Sequence, residues 1–417
     1  MNTAEAEIRH RIAQRGAITF AEFMELALYW PGGGYYVTGD PTGAQGDFYT
    51  SPQVHPVFGT LIAVQLFQMW RLLGEPDPFT VVELGAGNGL LCRDIVAAAG
   101  ELPPTFVDCL SYVCLDRRWG NLVGGQEPSG VNRVAAVGIP FRHLVGCIIS
   151  NEYFDAFPVH QVTLIEGTLS EIYVTQVEGD LVMNAGGLSD SALAARFDDL
   201  DLGLEEGQVA EVNLGLGSWA LEAAQALHRG FILTVDYGAR APELYSAQNR
   251  KRGTLTTFYN HTQIDSPLRY VGWQDITAQV DFTSLVNAGR RNGIETLGFA
   301  SQGQILGCLG MTSMQQRLRR IDLPQKTAQA NQAGMVDLVR PGGLGDFKVL
   351  AQGKNVGKPE LWGFGQSSAA NGEVQDLVND IPVPLLTGQN LSLPQGMNMG
   401  GETEFDLGKL FDGPESG

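Results

Sequence analysis

A β-prone run that opens into a glycine-rich turn constrains the fold of this chain more than any other feature. Residues 79–84 read FTVVEL, residues 85–89 read GAGNG, and an apolar helical pattern, LLCRDIVAAA, follows directly. Glycine accepts positive φ angles and lets a ligand approach the backbone closely, and the N-terminus of a helix offers unpaired N–H donors. The sequence therefore predicts that a nucleotide-like ligand binds at the carboxyl end of a sheet strand.

Short β-rich runs alternate with helical runs from residue 79 onward, which is typical of an α/β domain with a parallel sheet. The apolar residues of the β-rich runs are consecutive, which favours strands that are covered on both faces. Thr19 and Glu22 have capping-box spacing and predict a helix that begins just after Thr19. Further strands are predicted at residues 111–116, 144–150, 230–238, 295–300 and 347–353, and further helices at 55–73, 90–99, 219–227 and 282–291.

Composition and pattern divide the chain into regions. Residues 1–75 are predicted to form N-terminal helices, and residues 76–354 are predicted to form the α/β domain. This domain has insertions at about 159–215, where alternation predicts a hairpin, and at about 239–280. Residues 355–417 hold nine acidic residues, two lysines and 11 glycines without periodicity, and we predict a mostly disordered acidic tail there.

The charge balance restricts the possible ligands. The chain has 46 Asp and Glu against 27 Lys and Arg, a formal net charge of −19, so binding of nucleic acid through a large basic surface is not expected. No apolar run reaches the ~18–20 residues that cross a bilayer, and the N-terminus shows no secretory or transit pattern. These features predict a soluble cytoplasmic protein without a membrane span, and they leave the oligomeric state open.

Cysteine and histidine do not indicate a metal site. The five cysteines are not in CxxC spacing, and the six histidines are scattered. Neither a disulfide framework nor a zinc site is predicted from this arrangement. Buried free thiols are the favoured interpretation.

Polar side chains follow two other predicted strands. Asp116 ends the second strand, where a carboxylate is suited to the two hydroxyls of a ribose, although a surface aspartate or a helix cap fits the position about equally well. Asn151, Glu152 and Asp155 follow an apolar strand directly, in SNEYFDAFPV. We predict that these three polar groups lie at the sheet edge where ligands bind, with aromatic neighbours closing the pocket and the two carboxylates suited to a cation. A capped strand-to-helix turn is the structural alternative.

Several segments, in order, resemble the MidA family of class I S-adenosylmethionine (SAM)-dependent methyltransferases, which includes the mitochondrial complex I assembly factor, a protein arginine methyltransferase. The glycine turn favours this class over a dinucleotide fingerprint, because Leu90 stands where GxGxxG requires glycine or alanine. The resemblance runs from about residue 8 to residue 354. It is carried by ITFAEFMELALYWPGGGYY, GDFYTSPQVHPVFG, VVELGAGNGLLCRDI, SNEYFDAFPVHQV, VDYG, RGTLTTFYNH, GWQDITAQVDFTSL and FKVLAQGK.

The resemblance implies a fold, a cofactor and a set of site residues. The implied fold is a Rossmann-like α/β domain with a seven-strand sheet, an antiparallel edge, and a cap made of the N-terminal helices and the insertions. SAM is the implied cofactor, and an arginine of a protein, in the family a respiratory complex I subunit, is the implied acceptor. The implied cofactor-binding residues are Thr50, Ser51, Pro52, Glu83, Gly85, Gly87, Gly89, Asp116 and Asn151; the catalytic residues are Asn151, Glu152 and Asp155; and the substrate-binding residues are Asp236, Tyr237, Gln274 and Asp275.

The chain departs from the family pattern at two places. Gln53 stands where an acid is common, and Asp116-Arg117-Arg118-Trp119 replaces the usual Glu-x-Ser-Pro. Fold and cofactor do not determine the acceptor. A methyltransferase for a small molecule or another side chain, and a non-catalytic assembly chaperone that binds SAM, therefore remain alternatives, although the intact glycine turn and the segment from Asn151 to Asp155 favour catalysis.

Overall fold

A computed structural model describes residues 3–38, 50–118, 130–200, 202–259, 262–365, 368–387 and 390. Its centre is a seven-strand sheet, which confirms the predicted α/β fold. The strands are β1 (Phe79–Leu84), β2 (Leu110–Asp116), β3 (Val131–Ala135), β4 (Leu144–Asn151), β5 (Leu227–Asp236), β6 (Glu295–Ser301) and β7 (Lys348–Lys354).

The strand order places the glycine turn near the middle of the sheet. The order is β3-β2-β1-β4-β5-β7-β6, and β7 is antiparallel to both of its neighbours. The antiparallel strand thus lies one position inside the edge, and β6 itself forms the edge. Because β1, β2, β4 and β5 are parallel, their carboxyl ends meet on one side of the sheet.

Strand β3 was not predicted from the sequence. Its five residues, VNRVA, neither alternate nor form a continuous apolar run, and they are half-buried or exposed at the far edge of the sheet. Such a short run gives little periodic signal. Two helices, Pro104–Cys109 and Gln325–Asp337, were missed as well, and the second has only three buried residues along its length.

Helices cover both faces of the sheet. Consecutive residues of a strand face opposite sides, so Val81 belongs to one apolar cluster and Val82 to another. This explains the consecutive apolar residues of the strands. The first face carries the helices Val57–Leu72, Leu90–Ala99, Gln302–Cys308, Met311–Leu318 and Gln325–Asp337, and the second carries Gly215–Ala226 and Phe282–Arg291.

The N-terminal helices pack against a second, inserted sheet. Thr19 caps the helix Phe20–Tyr29 by accepting a hydrogen bond from the Glu22 N–H group, as the capping-box spacing predicts. The helices of this region are Thr3–Arg15, Phe20–Tyr29, Tyr35–Thr38 and Ser51–Val54, and the strands of the inserted sheet are Ile18–Thr19, His160–Ile165, Thr168–Val177, Asp180–Gly186 and Val209–Val212. The predicted hairpin is the antiparallel pair His160–Ile165 and Thr168–Val177.

Shorter elements complete the structure. Within the second insertion, Thr256–Tyr259 pairs with Thr262–Gln263 and with Asp275–Thr277, and Gly238–Ala239 pairs with Val280–Asp281. The remaining short helices are Ala192–Asp198, Ala241–Leu244, Ala247–Arg250, Leu344–Asp346 and Trp362–Phe364. Among the residues that the structure describes, no helix is both long enough and apolar enough to cross a bilayer.

The region after residue 354 differs from the prediction of a disordered tail. A helix spans Ser368–Asp380, and Trp362, Val374 and Val378 are buried in the main core. The side chains of two glutamines in the helix Val57–Leu72 satisfy the backbone here: Trp362 N–H donates to Gln68 Oε1 at 2.7 Å and Gly363 N–H to Gln65 Oε1 at 2.9 Å. A few well-placed apolar residues and these amides are enough to order a glycine-rich segment. Residues 391–417 lie outside the described part of the chain.

Candidate active site

The glycine turn follows β1 and holds three residues with left-handed backbone conformation. Gly85, Gly87 and Gly89 have φ angles of +65°, +53° and +77°, which glycine adopts without strain. The Gly85 N–H group donates to the Leu115 carbonyl at 2.9 Å, which ties the turn to β2. A Cβ atom on Gly85 would lie 2.8 Å from a ring carbon of Tyr153. The turn therefore requires glycine for its conformation and for the space beside Tyr153.

Asp116 lies beside this turn at the end of β2. Its Oδ2 atom accepts a hydrogen bond from Gly87 N–H at 2.9 Å, and its Oδ1 atom accepts one from Arg118 N–H at 3.4 Å. Burial raises the pKa of Asp116, and these backbone donors oppose the rise. Each carboxylate oxygen has a second lone pair, so ribose binding at this position stays a prediction that the geometry supports. Trp119 lies outside the described residues.

Glu83 points into the core and away from the turn. The Tyr112 hydroxyl donates to Glu83 Oε2 at 2.8 Å, and the Sγ atoms of Cys92 and Cys114 lie within 4.8 Å of the carboxylate. Burial raises the pKa of Glu83 from 4.5 to about 8. A hydrogen bond to Cys114, together with burial, also raises the pKa of the Cys92 thiol. Glu83 and Cys92 are therefore mainly protonated near neutral pH. No local sequence pattern indicates that Glu83, Cys92 and Cys114 meet.

The segment that contains Thr50, Ser51 and Pro52 reaches the site through its backbone. Ser51 N–H donates to Glu152 Oε1 at 3.3 Å, while the Ser51 hydroxyl donates to Gln302 Oε1 at 3.0 Å. Gln53, at the position where the family has an acid, accepts from Thr50 N–H at 3.0 Å and so stabilises the start of this turn. The backbone of Ser51 thus lies beside Glu152, whereas the Ser51 hydroxyl points away from Glu152 and hydrogen-bonds to Gln302.

Asn151 ends β4, and Glu152, the next residue, has a strained backbone conformation. Glu152 has a φ angle of +49°, and its N–H group donates to the Val235 carbonyl at 2.8 Å. Its Oε1 atom accepts from Asn151 Nδ2 at 2.9 Å as well as from Ser51 N–H. Burial and the charge of Asp155 raise the pKa of Glu152 from 4.5 to about 8. A non-glycine residue held at positive φ at the end of a strand is a feature of functional sites.

Asp155 is the second carboxyl group of the pocket, and Asp236 holds the turn that carries both. Asp236 Oδ2 accepts from Tyr153 N–H at 3.0 Å and from Phe154 N–H at 2.9 Å. Burial raises the pKa of Asp155 from 3.8 to about 6 and raises that of Asp236 well above its ordinary value. Asp236, predicted to bind substrate, is fully buried and has a positioning role in this structure.

The other predicted substrate residues, Tyr237, Gln274 and Asp275, differ in what their side chains contact. Tyr36 donates from its hydroxyl to Asp275 Oδ2 at 2.9 Å, and the side chain of Tyr237 hydrogen-bonds to Asp155. Gln274 is fully buried, and its Nε2 atom donates to the carbonyls of Ser266, Pro267 and Arg269. Tyr237 and Asp275 thus meet the carboxylates, whereas Gln274 fixes the preceding loop.

Three residues of the site were not assigned from the sequence. The Tyr29 hydroxyl donates to the Ala156 carbonyl at 2.9 Å, and the ring of Tyr29 stacks on that of Tyr36 with centroids 5.5 Å apart. The Arg117 guanidinium lies 3.9 Å from the centroid of the Tyr29 ring. Both tyrosines stand in the segment that carries the family resemblance, but a lone aromatic residue in a sequence does not reveal its partner.

The residues present fit a SAM molecule at the turn. A side chain at Gly85 would fill the space beside Tyr153, and Asn151 Oδ1 is buried without a hydrogen-bond partner among the described residues. An orphaned buried acceptor is a place where a ligand donor is expected. Gly85, Gly87, Gly89, Asp116 and Asn151 are the residues that would hold the cofactor.

This strand order, with an antiparallel seventh strand inside the edge, a glycine turn after β1 and carboxylates at the tips of β2 and β4, defines a class I SAM-dependent methyltransferase. A family model described as "Putative S-adenosyl-L-methionine-dependent methyltransferase" matches residues 61–300. The chain belongs to this family, and it is a SAM-dependent methyltransferase.

Known proteins agree with this assignment over most of the chain. The chain is similar to the crystal structure of a Burkholderia thailandensis protein bound to S-adenosyl-homocysteine, with a TM-score of 0.76 and 30% identity, covering 88% of this chain and 95% of the other. It is 28% identical to "Protein arginine methyltransferase NDUFAF7 homolog, mitochondrial" of Drosophila melanogaster, covering 83% of each chain. It is also 28% identical to "Protein arginine methyltransferase NDUFAF7, mitochondrial" of Homo sapiens, covering 73% of this chain and 72% of the other.

These relatives confirm the predicted cofactor and contradict the predicted location. The product of SAM, S-adenosyl-homocysteine, occupies the similar crystal structure. The fruit-fly and human relatives are both named mitochondrial. The prediction of a cytoplasmic protein is therefore wrong, because the lack of a recognisable targeting pattern carried no information about location.

Proposed function

We propose that this methyltransferase transfers the methyl group of SAM to an arginine side chain of a protein. One observation carries the proposal: Glu152 and Asp155 place two carboxyl groups together just after β4, near enough that the charge of Asp155 raises the pKa of Glu152. Burial without a cation keeps these groups partly protonated near neutral pH. A cationic acceptor would stabilise their charged forms and would recover the electrostatic cost of burying them.

A guanidinium suits this pocket better than an ammonium does. It is planar, stays protonated because its pKa exceeds ~12, and donates in pairs to carboxylates. Both hydrogen bonds that described residues donate to Glu152 end on Oε1, so Oε2 is the atom for an acceptor. Tyr29 and Tyr36 close the pocket with their stacked rings.

The protein contributes position, charge and the exclusion of water. When bound, SAM supplies a methyl group on a positively charged sulfur. Glu152 and Asp155 would orient one guanidinium nitrogen toward the glycine turn and would receive its proton at a carboxylate oxygen. Alignment of this kind is the main contribution that an enzyme makes to an in-line displacement. Asp236 keeps the turn from Tyr153 to Phe154 in place, so both carboxyl groups stay aimed at the pocket.

The curated relatives support a protein acceptor. Two of them, from Drosophila melanogaster and Homo sapiens, are named protein arginine methyltransferases and are similar to this chain over more than two thirds of its length. The respiratory complex I subunit that the family resemblance implies as acceptor stays a prediction.

Methyl transfer from labelled SAM tests the proposal. The purified full-length protein is incubated with methyl-labelled SAM and a cell extract, and the label is followed into polypeptides and small molecules. We expect a labelled polypeptide that yields methylarginine on acid hydrolysis. For Glu152→Gln we expect at least a hundredfold slower transfer with SAM affinity within about threefold of the unchanged protein, since the lost charge acts on the acceptor.

Glu178→Gln is the matched control. Glu178 has a φ angle of +50°, close to that of Glu152, but it is exposed in the turn after the strand Thr168–Val177. Transfer by this variant should be unchanged. Label in a metabolite would indicate a small-molecule methyltransferase, SAM binding without transfer would indicate a chaperone, and full activity of Glu152→Gln would refute the role of that carboxylate.

A further inference from the structure

Two aromatic side chains are unusually exposed in the second insertion. Trp273 is 57% exposed and Tyr270 is 50% exposed, and they are the only aromatic residues among the exposed large hydrophobic side chains that the structure describes. The ring of Tyr270 stacks on that of Tyr259, with centroids 4.3 Å apart and an interplanar angle of 3°. Apolar groups left in water at one place mark an interaction surface. We call Tyr259, Tyr270 and Trp273 the aromatic patch.

The aromatic patch lies close to Asp275 along the chain: Tyr259 ends one strand, and Tyr270 and Trp273 lie in the turn that precedes Asp275. Asp275, which faces Tyr36 in the pocket, pairs with Phe258 in the antiparallel register, and Tyr259 is the next residue. In the turn before this strand, Trp273 lies two residues from Asp275. One extended residue spans about 3.3–3.6 Å, so a polypeptide whose arginine lies near Asp275 has the aromatic patch within reach of its neighbouring residues.

The backbone holds the aromatic patch in a fixed position. Tyr270 has a φ angle of +46°, which is strained for an aromatic residue, and its carbonyl accepts from Trp273 N–H at 2.7 Å. The buried Gln274 side chain anchors the loop before it through the carbonyls of Ser266 and Pro267, at 3.2 and 2.7 Å. A strained conformation that is fixed by buried hydrogen bonds suits binding of a partner without rearrangement.

The chemistry of the aromatic patch favours a cation. Aromatic faces attract guanidinium and ammonium groups, and tryptophan does so most strongly. In the described chain, cations stack on Tyr29, Trp30, Phe67 and Phe299, whereas none lies over a ring of the aromatic patch. The chain as a whole carries a formal net charge of −19, which favours a basic partner.

We propose that the aromatic patch binds a basic segment of the acceptor polypeptide and takes a second arginine or lysine near the arginine that is methylated. This inference rests on the proposed protein acceptor. It predicts that the enzyme prefers acceptor arginines with a basic neighbour, because two binding points then act together.

The test compares two double variants of the full-length protein. Tyr270→Leu with Trp273→Leu keeps apolar bulk and removes the aromatic faces, whereas Tyr270→Phe with Trp273→Phe keeps them. Transfer of label from SAM is measured over a dilution series of one cell extract, which gives an apparent KM for the acceptor. We expect the leucine pair to raise this KM about five- to thirtyfold with kcat changed less than twofold, and the phenylalanine pair to stay within about threefold.

Each result decides one question. If the leucine pair labels polypeptides with an unchanged KM, the aromatic patch does not bind the acceptor, and the proposed function still stands. No labelled polypeptide with the unchanged protein would overturn the proposed function and this inference with it. A dimer that the leucine pair converts to a monomer, with the acceptor KM unchanged, would assign the patch to self-association and also overturn the inference. SAM affinity, measured for all forms, should be equal; if the leucine pair loses it, Trp273→Leu alone carries the same comparison.

Discussion

The two halves of the proposed active site, one for the cofactor and one for the acceptor, are built in different ways. The cofactor half is mainly backbone: three glycines in left-handed conformation between β1 and its helix, with Asp116 hydrogen-bonded to the Gly87 N–H group. The acceptor half is made of side chains, and Glu152 and Asp155 have pKa values raised by burial. The cofactor half depends on shape and the acceptor half on charge. A substitution that adds side-chain volume should therefore reduce SAM affinity, and one that removes a charge should reduce methyl transfer.

A side chain at Gly85 should have the largest effect, and it should act on the cofactor half. Gly85→Val adds a branched side chain at a φ angle of +65°, where even an added Cβ atom would lie only 2.8 Å from the Tyr153 ring. We expect SAM affinity, measured by calorimetry, to fall more than a hundredfold.

Gly207→Ala separates strain from steric overlap in this experiment. Gly207 has a φ angle of +72° with no atom within 4 Å of an added Cβ. It should lose about 1–2 kcal/mol of stability and no SAM affinity. SAM binding by Gly85→Val at the level of the unchanged protein would show that the turn is not the cofactor site.

Asp236→Asn should have the next largest effect, and it should act on the acceptor half through position. Asp236 Oδ2 now accepts hydrogen bonds from the N–H groups of Tyr153 and Phe154, at 3.0 and 2.9 Å. The amide of asparagine can place an NH₂ group there instead, and a donor would then face two donors. We expect methyl transfer to fall about tenfold or more and the free energy of unfolding to fall by about 1–3 kcal/mol. SAM affinity should stay within about threefold.

Asp180→Asn is the control for this charge change, because Asp180 is exposed in the inserted sheet. Equal losses of SAM affinity and transfer in Asp236→Asn would mean that the two halves are not independent. A thermal unfolding curve for each variant separates a local change from loss of the fold.

The pH dependence of acceptor binding should be the third effect in size. In the free protein the pKa of Glu152 is about 8, so this carboxyl group is mainly protonated at pH 7. A cationic acceptor favours the carboxylate, and binding therefore releases a proton. The kcat/KM for the acceptor should rise with pH, by at most about tenfold per unit, and level off above about pH 8.

This pH dependence is measured with the same acceptor extract at constant ionic strength from pH 6 to pH 9. The arginine itself does not titrate there, since its pKa exceeds ~12. A rate that is constant over this range, or one that falls with pH, would contradict a pocket in which Glu152 must be ionised.

The contrast between the halves also explains what could be predicted from the sequence. The glycine turn and most strands of the sheet depend on neighbouring residues. Six of the seven strands were predicted, five of them to within one residue at each end, whereas β3 was missed. The acceptor half joins residues that are distant in the chain: Ser51 and Glu152 are 101 positions apart, and Tyr36 and Asp275 are 239. No local pattern reveals such contacts, which is why Tyr29, Tyr36 and Arg117 were missed and why the structure of residues 355–365 and 368–387 was not expected.

Glu83 is the residue for which sequence position and structure disagree, and Glu83→Gln should have the smallest effect on SAM affinity. In the motif it adjoins the turn, but its carboxyl group is buried beside Tyr112 with a pKa raised from 4.5 to about 8. An acid with a raised pKa stabilises the fold fully below pH 4.5, and this contribution is lost as the pH rises toward 8, because only the unfolded chain then ionises. Denaturant unfolding should show that the variant gains stability relative to the unchanged protein over this range, by up to about 1.4 kcal/mol per pH unit. If the stability difference between the variant and the unchanged protein does not vary with pH, and the variant loses SAM affinity, Glu83 instead takes part in cofactor binding.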